Sequence, residues 1–208
     1  MSDSLKDWIA PTRTALLIVD MQVDFASPDG ALGKAGVDLS AVPAALAAAE
    51  RLAQAARAAG TLVIFAGLQT REDTDSAAWS EWMHRRGQAG GEALCREGQP
   101  GAAFHGPQPK GGERVIAKSR YSAFFGTDLD AVLKEVGVDT LVLCGLTTEC
   151  CIDCTTRDAF HLDYHVFIAS DACAAYEADL HDGALKALAL NCAIVVGTDK
   201  IVAAWTST

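Results

Sequence analysis

Three residues able to do acid–base or nucleophilic chemistry sit where apolar, strand-like runs end. Asp20 closes the run 14–20 (TALLIVD) and Lys118 closes 114–118 (RVIAK). Cys151 follows the run 140–145 (TLVLCG) across a short loop, 146–150, and opens the next helical stretch. In open α/β sheets ligands bind beyond the carboxyl ends of the strands, so side chains at that rim are placed for chemistry. Each also has an ordinary explanation: an Asp there caps a turn, a Lys snorkels to solvent, and a buried Cys packs as a small hydrophobe. Their coincidence at one rim carries the argument.

Together they form a coherent device. A thiol near a helix N-terminus and beside a cation has its pKa lowered from about 8.5. Lys118 can supply the cation, and Asp20 can take the thiol proton and return it to a leaving amine. Backbone N–H groups of the loop 145–151 can cradle an oxyanion, where one lost donor typically costs ~3 kcal/mol. The chemistry is that of a cysteine amidohydrolase working without histidine.

Positioning such a trio requires a sheet. Four continuous apolar runs, 14–20, 61–65, 140–145 and 164–169, suit strands covered on both faces. Shorter runs at 114–118 and 193–196 complete six strands. Helical stretches fall between them at 40–59, 128–136, 149–162 and 179–190, the first opening near Pro43 and stopped by Gly60. This alternation predicts one domain over 1–208, an α/β three-layer, doubly wound, mostly parallel six-stranded sheet of Rossmann-like form. Residues 69–113 break the rhythm with glycines, prolines, charges and two tryptophans. A segment of that length is expected to be a lid or pocket wall, with a short helix over 77–86.

Composition bounds the partners. The chain has 208 residues and a formal charge of −10, with Arg85-Arg86 the nearest approach to a basic run. That argues against nucleic acid and anionic membrane surfaces. No apolar stretch reaches the roughly 18 residues of a spanning helix. The first ten residues lack the basic and apolar regions of a signal peptide. Seven cysteines, an odd count, point to free thiols in a reducing compartment, and the expected location is cytoplasmic.

The motifs around the trio resemble those of the isochorismatase-like cysteine hydrolases, from about Thr14 to Val202. Asp20 sits in LLIVDMQVDF, Lys118 in AKSRYSAFFGTDLD, and Cys151 in GLTTECCIDCTTRDAF. The last matches the family's Gly, two residues, Thr, two residues, Cys register, which selects Cys151 over Cys144, Cys150 and Cys154. The resemblance implies Asp20 as base, Lys118 as electrostatic partner and Cys151 as nucleophile. It also implies a non-proline cis peptide at Leu146–Thr147, aiming the backbone N–H groups of Thr147 and Cys151 at the oxyanion. The lysine segment is similar to that of the ureidoacrylate-processing branch, and the chain as a whole resembles the metal-free ureidoacrylate and carbamoylsarcosine amidohydrolases.

Rival readings of the cysteine cluster are weaker. Cys151-x-x-Cys154 has redox spacing, but it follows a late strand rather than the first one. Four thiols spanning one strand and one helical turn do not make the separated pairs of a structural zinc site. Some relatives, the nicotinamidases, carry Asp-x-His and a further His after the second strand. Here that stretch reads QTREDTD, with no histidine before His84. No metal and no cofactor is therefore expected.

Pocket candidates are Phe25, Gln69, Arg71, Tyr121 and Phe124, with Trp79 and Trp82 assignable equally to pocket or subunit contact. The expected substrate is a small amide or ureide. Isochorismatase-type vinyl ether hydrolysis is the alternative within enzymes, although members of that kind lack the cysteine. A non-catalytic scaffold of the same fold is the alternative outside them. The resemblance further implies a homodimer or homotetramer, with Trp79, Trp82 and the apolar 201–205 available for an interface.

Overall fold

The apolar runs assemble into one sheet because each is buried along its length and can pair only with another such run. In the computed structural model, which describes residues 4–91 and 93–206, the strands are β1 (Thr14–Val19), β2 (Leu62–Leu68), β3 (Arg114–Lys118), β4 (Thr140–Leu146), β5 (His165–Ala174) and β6 (Ile194–Val196). Their order is β3-β2-β1-β4-β5-β6, and every pairing is parallel. The fold is thus α/β, a six-stranded parallel sheet flanked by helices. Strand order reverses between β1 and β4, which opens a crevice at their carboxyl ends.

The register brings the chemical residues level. Val19 pairs with Ala66 on one side and Gly145 on the other, while Leu68 pairs with Lys118. Gly145 is obligatory for this closeness: its φ is 141°, and a Cβ there would stand 2.0 Å from the Val19 carbonyl oxygen.

Three single-turn helices, α1 (Leu5–Trp8), α2 (Val23–Ala26) and α3 (Ala31–Lys34), precede the long α4 (Val42–Ala59). Alanines and Leu52 line the buried stripe of α4, Pro43 opens it, and Gly60 closes it at φ 74°. Next come α5 (Ala77–Arg85), α6 (Leu129–Glu135), α7 (Asp153–His161), α8 (Ala178–Asn191) and α9 (Thr198–Thr206). None of the described helices is long and apolar enough to cross a membrane. All seven cysteines are unbonded.

Departures from the sequence expectation have local causes. β2 continues to Leu68 although Ala66-Gly67 lack strand character, because β3 pairs with it to the end. β5 runs five residues beyond the apolar run, to Ala174, past an irregularity opposite Leu143 and Gly145. The stretch after β4 is not one helix from 149, since a π-helical turn (Thr148–Ile152) holds Cys151 and α7 starts only at Asp153. In the apolar 201–205 the two largest side chains are spent within the fold: Ile201 and Trp205 are buried, and the Trp205 indole N–H donates to the Ile9 carbonyl at 2.9 Å.

Candidate active site

Asp20 leaves β1 in the left-handed region, φ 51°, a conformation Asp tolerates better than most residues. The turn points its carboxylate over β2, where Oδ1 accepts from the Leu68 N–H at 2.9 Å. Gln22 braces the same spot, its side chain donating to the Leu68 and Ala102 carbonyls and accepting from the Leu68 N–H. Lys118 lies two strands away, a separation of roughly 10 Å that only a long side chain spans. Its ammonium has three donors and three partners. These are Asp20 Oδ2 at 2.6 Å, the Arg120 carbonyl at 2.9 Å and Cys151 Sγ at 3.5 Å. Asp20 Oδ2 has no other partner among the described residues.

This cluster is buried. Asp20 is 0% exposed, Lys118 1% and Cys151 8%. Burial alone would push the Lys118 ammonium down, but the Asp20 charge and the Cys151 sulfur outweigh it, and its pKa is raised. An ion pair at ε far below that of water holds both charges in place.

The thiol behaves differently from the sequence expectation. The adjacent Cys150 side chain, burial and the Asp20 charge push the Cys151 thiol well above its ordinary range, and Lys118 offsets them only in part. The lowered pKa argued from a helix N-terminus and a nearby cation does not hold, because the Cys150 side chain, burial and the Asp20 carboxylate together outweigh Lys118. Cys151 rests as a thiol next to a group able to take its proton.

The turn carrying Cys151 begins at a cis peptide, Leu146–Thr147, at the position the motif resemblance implied. The Thr147 carbonyl accepts from the N–H groups of Cys150 and Ile152, and the Thr147 hydroxyl donates to Glu149 Oε1 at 2.8 Å. Thr148 contacts His181 Nδ1 at 2.8 Å, tying the turn to α8. Glu149 and His181 were not singled out in the sequence, because nothing in their spacing distinguishes them from surface residues. Glu149 Oε2 is buried with no partner among the described residues. Tyr176, also unforeseen, donates to the Phe25 carbonyl at 2.9 Å.

The anticipated pocket residues divide. Tyr121 lines a cavity of about 510 Å³ with Trp79, Trp82, Arg120 and Cys150. Gln69 and Arg71 line a smaller one of about 180 Å³ that also touches Lys118. Arg71 is exposed there and pairs with Asp73 and Glu97. Phe25 is half-buried against the core. Phe124 joins neither cavity and packs on Tyr164, ring centroids 5.7 Å apart, so its proximity to Lys118 in sequence does not become proximity to the site. A further cavity of about 540 Å³, beside Trp8, Arg13 and His165, lies at the opposite, amino ends of the strands.

From the segment 69–113, Ser76, Ala78, Trp79 and Trp82 line the cavity beside Tyr121, and Gln69, Arg71, Thr74 and Glu97 line the one beside Lys118. Asp24 staples the second half of this segment to the rim, accepting from the Ala31 N–H at 3.0 Å and the Cys95 N–H at 2.8 Å. Arg96 pairs bidentately with Asp75 across the segment. Among the described residues no three His, Cys, Asp or Glu side chains are grouped to hold a metal ion.

Known proteins share both sequence and fold. Residues 14–200 match the family model of the isochorismatase domain. Ureidoacrylate amidohydrolase RutB of Azorhizobium caulinodans is 36% identical over 177 residues, covering 79% of this chain and 77% of that protein. The Serratia proteamaculans protein of the same name is 37% identical over 174 residues, covering 78% and 70%. Among solved structures, a cysteine hydrolase from Pseudomonas syringae pv. phaseolicola superposes with a TM-score of 0.83 at 29% identity, covering 99% and 98% of the two chains. N-carbamoylsarcosine amidase from Thermoplasma acidophilum gives 0.69 at 25% identity, covering 90% and 97%. With the family model spanning nearly the whole chain, the protein belongs to the isochorismatase family.

Proposed function

We propose that the protein is a cysteine amidohydrolase that cleaves a linear, non-peptide carbon–nitrogen bond of a small amide or ureide. The observation that carries this reading is the buried Lys118 ammonium standing between the Asp20 carboxylate and the Cys151 sulfur. The curated relatives act on ureidoacrylate, as their names state, and the reaction class follows theirs.

Asp20 takes the Cys151 proton as Sγ attacks the carbonyl carbon, so thiolate forms only when an electrophile is present. The N–H groups of Thr147 and Cys151 receive the oxyanion. When the C–N bond breaks, Asp20 returns the proton to the leaving nitrogen, and ammonia or an amine departs from a thioester. Water then gives a proton to Asp20 and its oxygen to the acyl carbon, and Cys151 leaves as thiol. Lys118 pairs with Asp20 at rest and compensates the negative charge as it moves onto sulfur. Nothing in this sequence needs a cofactor.

The test is ammonia release from ureidoacrylate, N-carbamoyl amino acids, maleamate, biuret and nicotinamide by wild type beside Cys151→Ala. Turnover by wild type alone is expected for one of the ureides or amides. Equal turnover by Cys151→Ala removes the nucleophile assignment.

A further inference from the structure

The turn that carries the nucleophile is closed mainly on itself. Between the end of β4 at Leu146 and the start of α7 at Asp153, the Thr147 carbonyl accepts from the Cys150 and Ile152 N–H groups at 3.2 and 3.1 Å. The Thr147 hydroxyl reaches only as far as Glu149, at 2.8 Å. Such bonds fix the shape of the turn but not its place relative to the rest of the molecule. Among the described residues, two side-chain hydrogen bonds tie 147–152 to another element. One is Lys118 Nζ to Cys151 Sγ at 3.5 Å, which acts on a side chain and leaves the backbone free. The other joins Thr148 Oγ1 to His181 Nδ1 at 2.8 Å.

Thr148 is 0% exposed, so its hydroxyl has no bulk water to turn to. His181 is half-buried in the first part of α8 (Ala178–Asn191), the helix that packs on the turn. The bond is available to either neutral imidazole tautomer: the hydroxyl donates to a bare Nδ1 or accepts from an Nδ1–H. Thr148 also stands, in the chain, between the two backbone donors assigned to the oxyanion, next to Thr147 and three residues before Cys151. Oxyanion donors act only within about 2.7–3.1 Å of the oxygen that develops charge. A misplacement of about 1 Å costs on the order of 10²-fold in rate.

We propose that His181 is a positioning residue for the oxyanion site: through Thr148 it anchors the turn to α8 and so sets where the Thr147 and Cys151 N–H groups point. It touches neither substrate nor sulfur. Its removal is therefore expected to lower kcat by about 10- to 100-fold with KM within about threefold. This rests on the amidohydrolase reading for the reaction those donors serve.

The test uses a readout that needs no turnover. Propionaldehyde is added to the protein as a probe: Cys151 Sγ bonds to the aldehyde carbon, the thiol proton passes to Asp20, and the carbonyl electron pair stays on oxygen as an alkoxide facing the two N–H groups. Its affinity is measured as protection of Cys151 from methyl methanethiosulfonate, which transfers a methylthio group to sulfur with loss of methanesulfinate and forms no oxyanion. Modification is read at Cys151 by peptide mass spectrometry. His181→Phe, which keeps a ring and loses the hydrogen bond, is expected to weaken aldehyde protection at least tenfold, with the modification rate in the absence of aldehyde within about twofold of wild type. His181→Asn, whose amide can stand where Nδ1 stands, should return protection to within about threefold. Should His181→Phe not fold, Thr148→Val is expected to show the same loss and Thr148→Ser the same recovery. Undiminished protection in His181→Phe overturns the proposal, as does a loss that His181→Asn does not repair, which would make the contact one of packing. Absence of protection in wild type overturns it as well, there being no oxyanion site to position. Silence in the ammonia assay together with His181-dependent protection overturns the reaction and leaves the positioning role standing.

Discussion

Lys118 Nζ lies 2.6 Å from Asp20 Oδ2, from one outer strand position to the next but one, with both side chains buried. Two opposite charges at that depth are held less by net attraction than by the cost of leaving either alone. The pair therefore acts as a unit, with Cys151 as its third member.

Removing one partner should show this. Lys118→Met strands the Asp20 charge and is expected to lower stability by about 3–5 kcal/mol. Asp20→Asn combined with Lys118→Met should recover a large part of that loss while remaining inactive. Urea unfolding of both singles and the double closes the cycle, and additive losses would show that the two charges are not coupled.

The resting thiol makes a prediction about pH. Because Cys150, burial and Asp20 push Cys151 up, iodoacetamide inactivation should have its midpoint above the ordinary thiol value of about 8.5. Cys150→Ala removes the largest of these influences and should move the midpoint down. Inactivation already complete at neutral pH would mean that the enzyme rests as thiolate.

Phe124 and Tyr121 neighbour Lys118 in sequence but have opposite surroundings. Phe124→Ala is expected to cost about 2–4 kcal/mol in stability with KM unchanged, as for a ring packed on Tyr164. Tyr121→Ala should change KM with a smaller effect on the unfolding midpoint. The reverse pattern would put Phe124 in the pocket.

Away from the site, Glu113 and Arg57 join the start of β3 to α4 with contacts of 2.7 and 2.9 Å. The hydrogen bond from Arg57 holds the Glu113 carboxyl below its usual value despite partial burial. A depressed acid stabilises the fold above its unfolded pKa of about 4.3 and loses that contribution as pH falls through the folded value. Glu113→Gln should thus lower stability by about 1–3 kcal/mol at neutral pH, and the gap from wild type should close in acid. A gap independent of pH would point to packing instead.

The parallel sheet was legible because burial on both faces leaves an unbroken apolar run, as at 14–20 and 140–145, and no other element needs that pattern. The strand ends gave away Asp20 and Lys118 for the same reason, a polar residue closing an apolar run being a local signal. Cys151 needed its surrounding motif, since four nearby thiols carry the same letter. The length of β5 and the π turn were not legible, because pairing partners and a loop's path impose them from outside the segment.

The order and residue types of the trio were thus legible in the sequence alone: an acid, a lysine and a thiol, each at or just beyond the end of a strand-like run. The tertiary structure decided their electrostatics and the company they keep. Whether a thiol is raised or lowered depends on charges within a few ångströms from every direction, and Asp20 and Cys150 reverse what Lys118 alone would do. Likewise Trp79, Trp82 and Arg120 meet around one cavity while Phe124 turns into the core, because packing in three dimensions, not distance along the chain, sets which side chains share a pocket.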